Sequence, residues 1–324
     1  MAERVRVLVT GSSGQIGTNL SLRLLELGHE VLGLDVRENS WTDRVPLVRF
    51  DLTRPLAELE EALAGARWDV VVHLAAYAKV HELVVHPERA LENVVHTFNV
   101  LELARRRGTP LVFGSSREAY GDVSAGSTAE DRPVLAKSPY SASKISGEAF
   151  VRSYSACYGL PTLTYRFSNV YGRYDNDLER MERVMPLFIR EIAAGREVTV
   201  FGREKVLDFT WVDDCVSAVV AGLLLLYRGE LANQTINVAA GRGSSLLDLA
   251  AYVGDALGVA PRVRVHPSRP GEIQRYVADI SKARRLLGYE PTTFLAEGVK
   301  KAVAWSGVRA SAQAREQEGW IREG

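Results

Sequence analysis

Three residues stand out for the chemistry that their types and spacing allow. Tyr140 and Lys144 lie four apart in SPYSASKISGE, and Ser116 lies in FGSSREAYG. On a helix, residues at i and i+4 share one face. A serine at the C-terminal end of a strand sits where open α/β sheets bind ligands. A free tyrosine has a pKa of about 10 and is a weak base at neutral pH. A nearby ammonium favours its phenolate. Such a tyrosine can take a proton from a hydroxyl while hydride leaves the same carbon, and Ser116 can hold that hydroxyl in line. A Tyr-x-x-x-Lys pair also arises by chance on surfaces, so the reading depends on the elements that would position it.

Upstream stands LVTGSSGQIGTNL, residues 8–20. Residues 5–10 are short, β-branched and apolar, which suits a buried parallel strand. Gly11, Gly14 and Gly17 follow, with Gln15 and Ile16 between them. Leu20, Leu24 and Leu25 then recur at helical spacing, and Gly28 falls where that helix would end. EVLGLD, residues 30–35, reads as a second strand. A glycine turn lets backbone approach a pyrophosphate, and the helix N-terminus behind it offers free N–H groups. Asp35 can accept hydrogen bonds from an adenosine ribose and repels a 2′-phosphate, which favours NAD over NADP; Arg37 weakens that preference slightly.

Further strands are expected at 70–76, 110–116 and 163–169. Amphipathic segments lie between them, such as 90–107 with Leu91, Val94, Val95, Phe98 and Leu101 on one face. This alternation predicts an α/β fold: a Rossmann-type doubly wound parallel sheet with a smaller C-terminal α/β substrate-binding lobe. Residues 1–171, with 205–242 returning, would form the nucleotide lobe. Residues 172–204 and 243–310 would form the substrate lobe, and 311–324 a polar tail, helical or frayed.

Forty basic and 40 acidic residues in 324 give a formal net charge of zero. Neither nucleic acid nor an anionic membrane is an expected partner. Cys157 and Cys215, the only cysteines, form no disulfide framework and no zinc spacing, so a reducing cytoplasm is expected. VRVLVT is too short for a signal core, and no apolar run approaches membrane-spanning length. The histidines are not spaced for a metal.

The motifs TGSSGQIG, HLAA (73–76), SSREAYG, PYSASK, RFSNVYG, DFTWVDD (208–214) and RPGEIQRYVADISKARRLLGYEP (269–291) run almost end to end. In these the chain resembles the extended short-chain dehydrogenase/reductases that act on nucleotide sugars. The resemblance implies tightly held NAD and a nucleotide diphosphate sugar in a cleft under the C-terminal lobe. It implies cofactor contacts from the glycine loop, Asp35, Leu74, Ala75, Ala76, Lys79, Asn93, Tyr140 and Lys144, with Asp51 and Leu52 flanking the adenine. On the substrate side it implies Lys79, Ser116, Arg117, Glu118 and Tyr140. Asn169 would contact the pyrophosphate, and Arg269 the phosphate or uridine region. Relatives pair two helices per subunit into homodimers, here 90–107 and 141–158.

Reactions of this kind begin by oxidising a sugar carbon, usually C4. The resembling 4,6-dehydratases carry an aspartic general acid where Arg117 stands, and an arginine cannot protonate a leaving hydroxyl at neutral pH. Glu118 matches a glutamate of UDP-glucuronate decarboxylases. The segment 170–189, with Arg173, Arg180 and Arg183, is similar to a loop of bacterial UDP-glucuronic acid 4-epimerases, and counting back from Phe188 makes Arg180 the carboxylate ligand. The expectation is C4 epimerisation of a UDP-sugar through a 4-keto intermediate, UDP-glucuronic acid first. UDP-glucose epimerisation, UDP-glucuronate decarboxylation and non-catalytic NAD sensing are the alternatives. Two departures count against the uronate. Leu207 replaces an arginine before Asp208, with Lys205 the nearest substitute for a phosphate contact, and His81 stands where several uronate-acting relatives have arginine. His73, on an apolar strand, is expected to pack rather than react.

Overall fold

Runs such as Val70–His73 and Leu111–Ser116 are buried at every position, as strands covered on both faces must be. The computed structural model describes residues 4–123, 126–175 and 183–324. Its first half runs β1 (Arg6–Thr10), α1 (Gln15–Glu26), β2 (Glu30–Asp35), β3 (Leu47–Arg49), α2 (Leu56–Ala62), β4 (Val70–His73), α3 (Val80–Val85), α4 (Glu88–Arg107), β5 (Leu111–Ser116), α5 (Pro139–Tyr158), β6 (Thr162–Phe167) and β7 (Asn169–Tyr171). The second half runs α6 (Val184–Ala193), β8 (Val198–Phe201), β9 (Val206–Trp211), α7 (Val212–Tyr227), β10 (Gln234–Val238), β11 (Gly243–Ser245), α8 (Leu246–Leu257), β12 (Arg262–His266), α9 (Ser281–Leu287), α10 (Leu295–Ser306), α11 (Ala312–Glu316) and β13 (Trp320–Glu323).

Seven parallel strands form the main sheet in the order β10-β6-β5-β4-β1-β2-β3. The order reverses between β1 and β4, which opens a crevice at the strands' C-terminal ends. Alternate residues of β1 face opposite sides. Val7 and Val9 join the core under α1 and α7, while Leu8 joins Leu101, Phe113 and Val151 under α4 and α5. Helix ends follow local chemistry. Ser138 and Ser245 close capping boxes at α5 and α8, and Gly108 and Gly159 stop α4 and α5 in left-handed conformation.

The returning segment differs in part from the expectation for 205–242. α7 packs on α1, and β10 extends the main sheet beside β6. β9, however, lies in a separate three-stranded sheet between β7 and β11. The segment 163–169 divides at Ser168, so Asn169 opens β7 rather than ending β6. The C-terminal segment is not frayed: β13 pairs in parallel with β12, which pairs with β8. Among the described residues, no helix is long and apolar enough to cross a membrane.

Candidate active site

The turn between β1 and α1 is built by exclusion. Gly11 takes φ +71°, and a Cβ there would stand 2.6 Å from the Ala75 nitrogen. A Cβ on Gly17 would lie 2.8 Å from Ser12 Cα and collide with the Gly11 carbonyl oxygen. Gly14 precedes α1 with no side-chain cap, so the first-turn N–H groups stay open. The Gln15 amide nitrogen is buried without a partner. At the end of β2, Asp35 accepts from the Ser13 N–H at 3.0 Å and the Arg37 N–H at 3.2 Å. Burial raises its carboxyl above the usual range, against the pull of those N–H groups and Arg37. A bare glycine cradle, an open helix N-terminus and a strand-end acid fit a dinucleotide such as NAD. Gly11, Gly14, Gln15, Ile16, Gly17, Asp35, Asp51, Leu52, Leu74, Ala75, Ala76 and Lys79 would line its site.

That cradle opens into one cleft of about 490 Å³, whose walls include Ser116, Arg117, Glu118, Tyr140, Lys144 and Asn169. Ser116 ends β5, and its hydroxyl accepts from the Glu118 N–H at 3.2 Å. Tyr140 sits in the first turn of α5, behind Ser138 and Pro139. Burial pushes its hydroxyl up to about 12, opposed by a hydrogen bond with Ser116 and by Arg183 and Arg117, while Glu118 adds to the rise. Lys144 lies one turn further on. Its ammonium donates to the Gly114 carbonyl at 2.8 Å and stands 6.0 Å from the Tyr140 ring centre. Burial lowers it to about 8, against the field of Glu148.

On the substrate side, Arg117 pairs with Glu118 at 2.8 Å and donates to the Asn169 side-chain oxygen at 3.3 and 3.2 Å. Arg117 Nη1, Glu118 Oε2 and Asn169 Nδ2 have no protein partner. Sequence reasoning gave Arg183 no distinct role, yet it lines the cleft. It donates to the Gln15 side-chain oxygen at 2.7 Å and the Val170 carbonyl at 3.2 Å, and pairs with Asp175 at 3.1 Å. Burial pushes Asp175 up to about 7, against Arg183. Trp41, Tyr174 and Trp305 form a triangle of rings 5.5 to 5.9 Å apart beside it. Their spacing in sequence gave no signal.

Three expected residues stand elsewhere. Asn93 does not line the cleft: its amide clamps the Tyr77 backbone at 2.7 and 3.0 Å and reaches Ser143 at 3.2 Å. Its position shapes the loop that does. Lys205 is buried in an ion pair with Glu272 at 2.6 Å, and Arg269 lies 3.8 Å over the Phe201 ring; neither is in the cleft wall. Arg180 lies outside the described residues. His73 packs as expected, with Nδ1 2.7 Å from the Thr10 hydroxyl, and burial holds it neutral.

A doubly wound sheet with this loop and this strand-end serine defines a dinucleotide-binding enzyme fold. Residues 7–239 match the model of the NAD dependent epimerase/dehydratase family, and the chain belongs to that family. It is 36% identical over 315 residues to a UDP-glucose 4-epimerase of Mycolicibacterium smegmatis, covering 92% of this chain and 97% of that one. Its structure is similar to a Thermus thermophilus UDP-glucose 4-epimerase complexed with NAD: TM-score 0.85, 33% identity, 93% of this chain and 98% of the other. It is also similar to a Bacillus cereus UDP-glucuronic acid 4-epimerase: TM-score 0.82, 26% identity, with the same coverage.

Proposed function

We propose that this protein is an NAD-dependent 4-epimerase of a UDP-sugar, acting through Ser116, Tyr140 and Lys144. The observation that carries the reading is one cleft holding these three side chains and the glycine cradle together. Bound NAD supplies a hydride acceptor and, in the return step, its donor. Ser116 hydrogen-bonds the sugar O4 and orients it toward Tyr140. Tyr140 takes the O4 proton as C4 is oxidised, and Lys144, Arg117 and Arg183 favour the phenolate against burial. The 4-keto sugar turns about its pyrophosphate linkage, presents its other face, and Tyr140 returns the proton. The product is the C4 epimer, with no net redox change.

The pairing of the cleft arginines Arg117 and Arg183 favours a neutral hexose such as UDP-glucose over the uronate first expected. Arg117 is matched by Glu118 and Arg183 by Asp175. A uronate carboxylate would meet an acid beside each of these arginines. The test is to incubate purified protein, without added NAD, with UDP-glucose and separately with UDP-glucuronate, and resolve the nucleotides by chromatography with mass detection. A product of unchanged mass and new retention from UDP-glucose supports the reading. The same result from UDP-glucuronate alone returns the assignment to the uronate and to Arg180. Loss of CO₂ indicates decarboxylation and Glu118. No conversion of either, with NAD bound, supports a sensing protein.

We further infer a homodimer through α4 and α5, where Leu91, Val95, Phe98, Phe150 and Tyr158 are exposed. Sedimentation of wild type against Leu91→Glu/Phe98→Glu tests it. Unpaired Cys157 and Cys215 suit the reducing cytoplasm.

A further inference from the structure

Helix α5 carries a third polar side chain in line with the first two. Tyr140, Lys144 and Glu148 follow at i, i+4 and i+8, and all are buried. The Glu148 side chain is 1% exposed. Its carboxylate accepts the Ser115 hydroxyl at 2.6 Å and two bonds from Arg166, Nε at 2.8 Å and Nη2 at 2.7 Å. Ser115 precedes Ser116 on β5, and Arg166 is its register partner on β6. One carboxylate therefore ties α5 to both strands directly behind the reactive strand end. Stability alone is a poor account of it, because a buried ion pair often gains nothing over apolar packing of the same shape.

We propose that Glu148 is a positioning residue for the reaction, setting Ser116 through Ser115 and supplying the negative charge beneath Lys144. The inference rests on the reading of Ser116, Tyr140 and Lys144 as catalytic. Lys144 faces Tyr140 and Glu148 on its own helix, the Gly114 carbonyl of β5, His73 of β4 and His96 of α4. Burial keeps both histidines neutral, so the field of Glu148 is what opposes the desolvation of the ammonium. Arg166 faces Glu148 from β6, and Arg152 reaches it from the surface at 3.5 Å. Removing the carboxylate while Arg166 remains turns the local field cationic.

Lys144 acts as an ammonium, so a weaker hold on its proton brings the alkaline limb of kcat/KM to lower pH. In Glu148→Gln the limb is expected to fall by about one pH unit from about 8, since an opposite charge at close range shifts a buried group by about that much. That shift is a loss of about 8-fold at pH 8.5 and about 2-fold at pH 7. Glu148→Gln/Arg166→Met removes both charges and relieves the unpaired buried cation should the single variant fail to fold. Its limb is expected to fall by about half as much. The measurement is the pH profile of the NAD-loaded enzyme on UDP-glucose, with Tyr140→Phe as control. Limbs unmoved in folded variants, with Tyr140→Phe inactive, overturn the role of Glu148. A Tyr140→Phe enzyme that keeps its turnover overturns the catalytic reading on which that role depends.

Discussion

Replacing Gly17 with alanine should loosen the enzyme's hold on its cofactor while leaving its fold intact. The added Cβ stands 2.8 Å from Ser12 Cα and 2.9 Å from the Gly11 carbonyl carbon, whereas ordinary contact begins at 3.4 Å. The loop must therefore retreat by about 0.6 Å from these two atoms, and further from the Gly11 carbonyl oxygen, which is closer still, to restore van der Waals contact. Gly11 cannot yield toward β4, because its own outer face lies against the Ala75 nitrogen. Overpacking of this kind costs about 1–3 kcal/mol. The loop must regain its position to receive a pyrophosphate, so that cost falls on binding. At 1.4 kcal/mol per tenfold it weakens NAD by about 5- to 150-fold. The assay is NAD released by acid from the purified protein, per mole of chain, with the melting temperature measured alongside. Gly28→Ala is the control. Gly28, unlike Gly17, has positive φ, at +85°, but nothing lies within 4 Å of its Cβ. It should lose about 1 kcal/mol of stability to backbone strain and keep its NAD. A Gly17→Ala protein with wild-type NAD content, or a Gly28→Ala protein that loses as much, would refute the reasoning.

Burial lowers His96 to about 4, so the fold holds it neutral while the unfolded chain protonates it near pH 6.5. Its stability contribution is complete above pH 6.5 and is lost as pH falls toward 4. Urea titrations at pH 7 and pH 4.5 should show His96→Gln losing about 2 kcal/mol less than wild type on acidification. Arg183→Ala removes the link from Asp175 to Gln15; NAD released during dialysis should rise several-fold, and unchanged retention would limit Arg183 to the substrate side. Asp35→Asn removes the strand-end charge proposed to meet the adenosine ribose. Calorimetric titration of stripped protein should show NAD weakened by about tenfold and its advantage over NADP reduced.

The glycine loop and the Ser116, Tyr140, Lys144 set were legible because each depends on local rules. Glycine spacing between a strand and a helix sets the cradle, i and i+4 set the helix face, and a strand end sets the serine. Asn93 lies behind the cleft wall because a residue on this helix can hold the loop that forms the wall, here at Tyr77. Lys205 and Arg269 stand outside the cleft wall with partners, Glu272 and Phe201, that are 67 and 68 residues away. Pairing at that range leaves no periodic mark. The same limit hid the β7-β9-β11 sheet, since β7 and β11 have three residues each. It also hid β13, whose polar sequence reads as a tail and which forms only because β12 offers it an edge. Glu148 lay in plain view at i+8, but nothing in sequence says that Arg166 and Ser115 meet it.

The return of β10 to the main sheet also constrains how the protein can be made. A ribosome that has released residues 1–171 has completed six of the seven strands, but the sheet still ends at β6. Until residue 238 emerges, that strand presents an unpaired parallel edge to its surroundings. The nascent chain therefore passes through a long interval in which it is most exposed to wrong pairing. For the same reason a gene cut between the two lobes would not yield two working halves, whereas a circular permutant opened between β6 and β10 would make β10 first, and β6 would not wait for its partner.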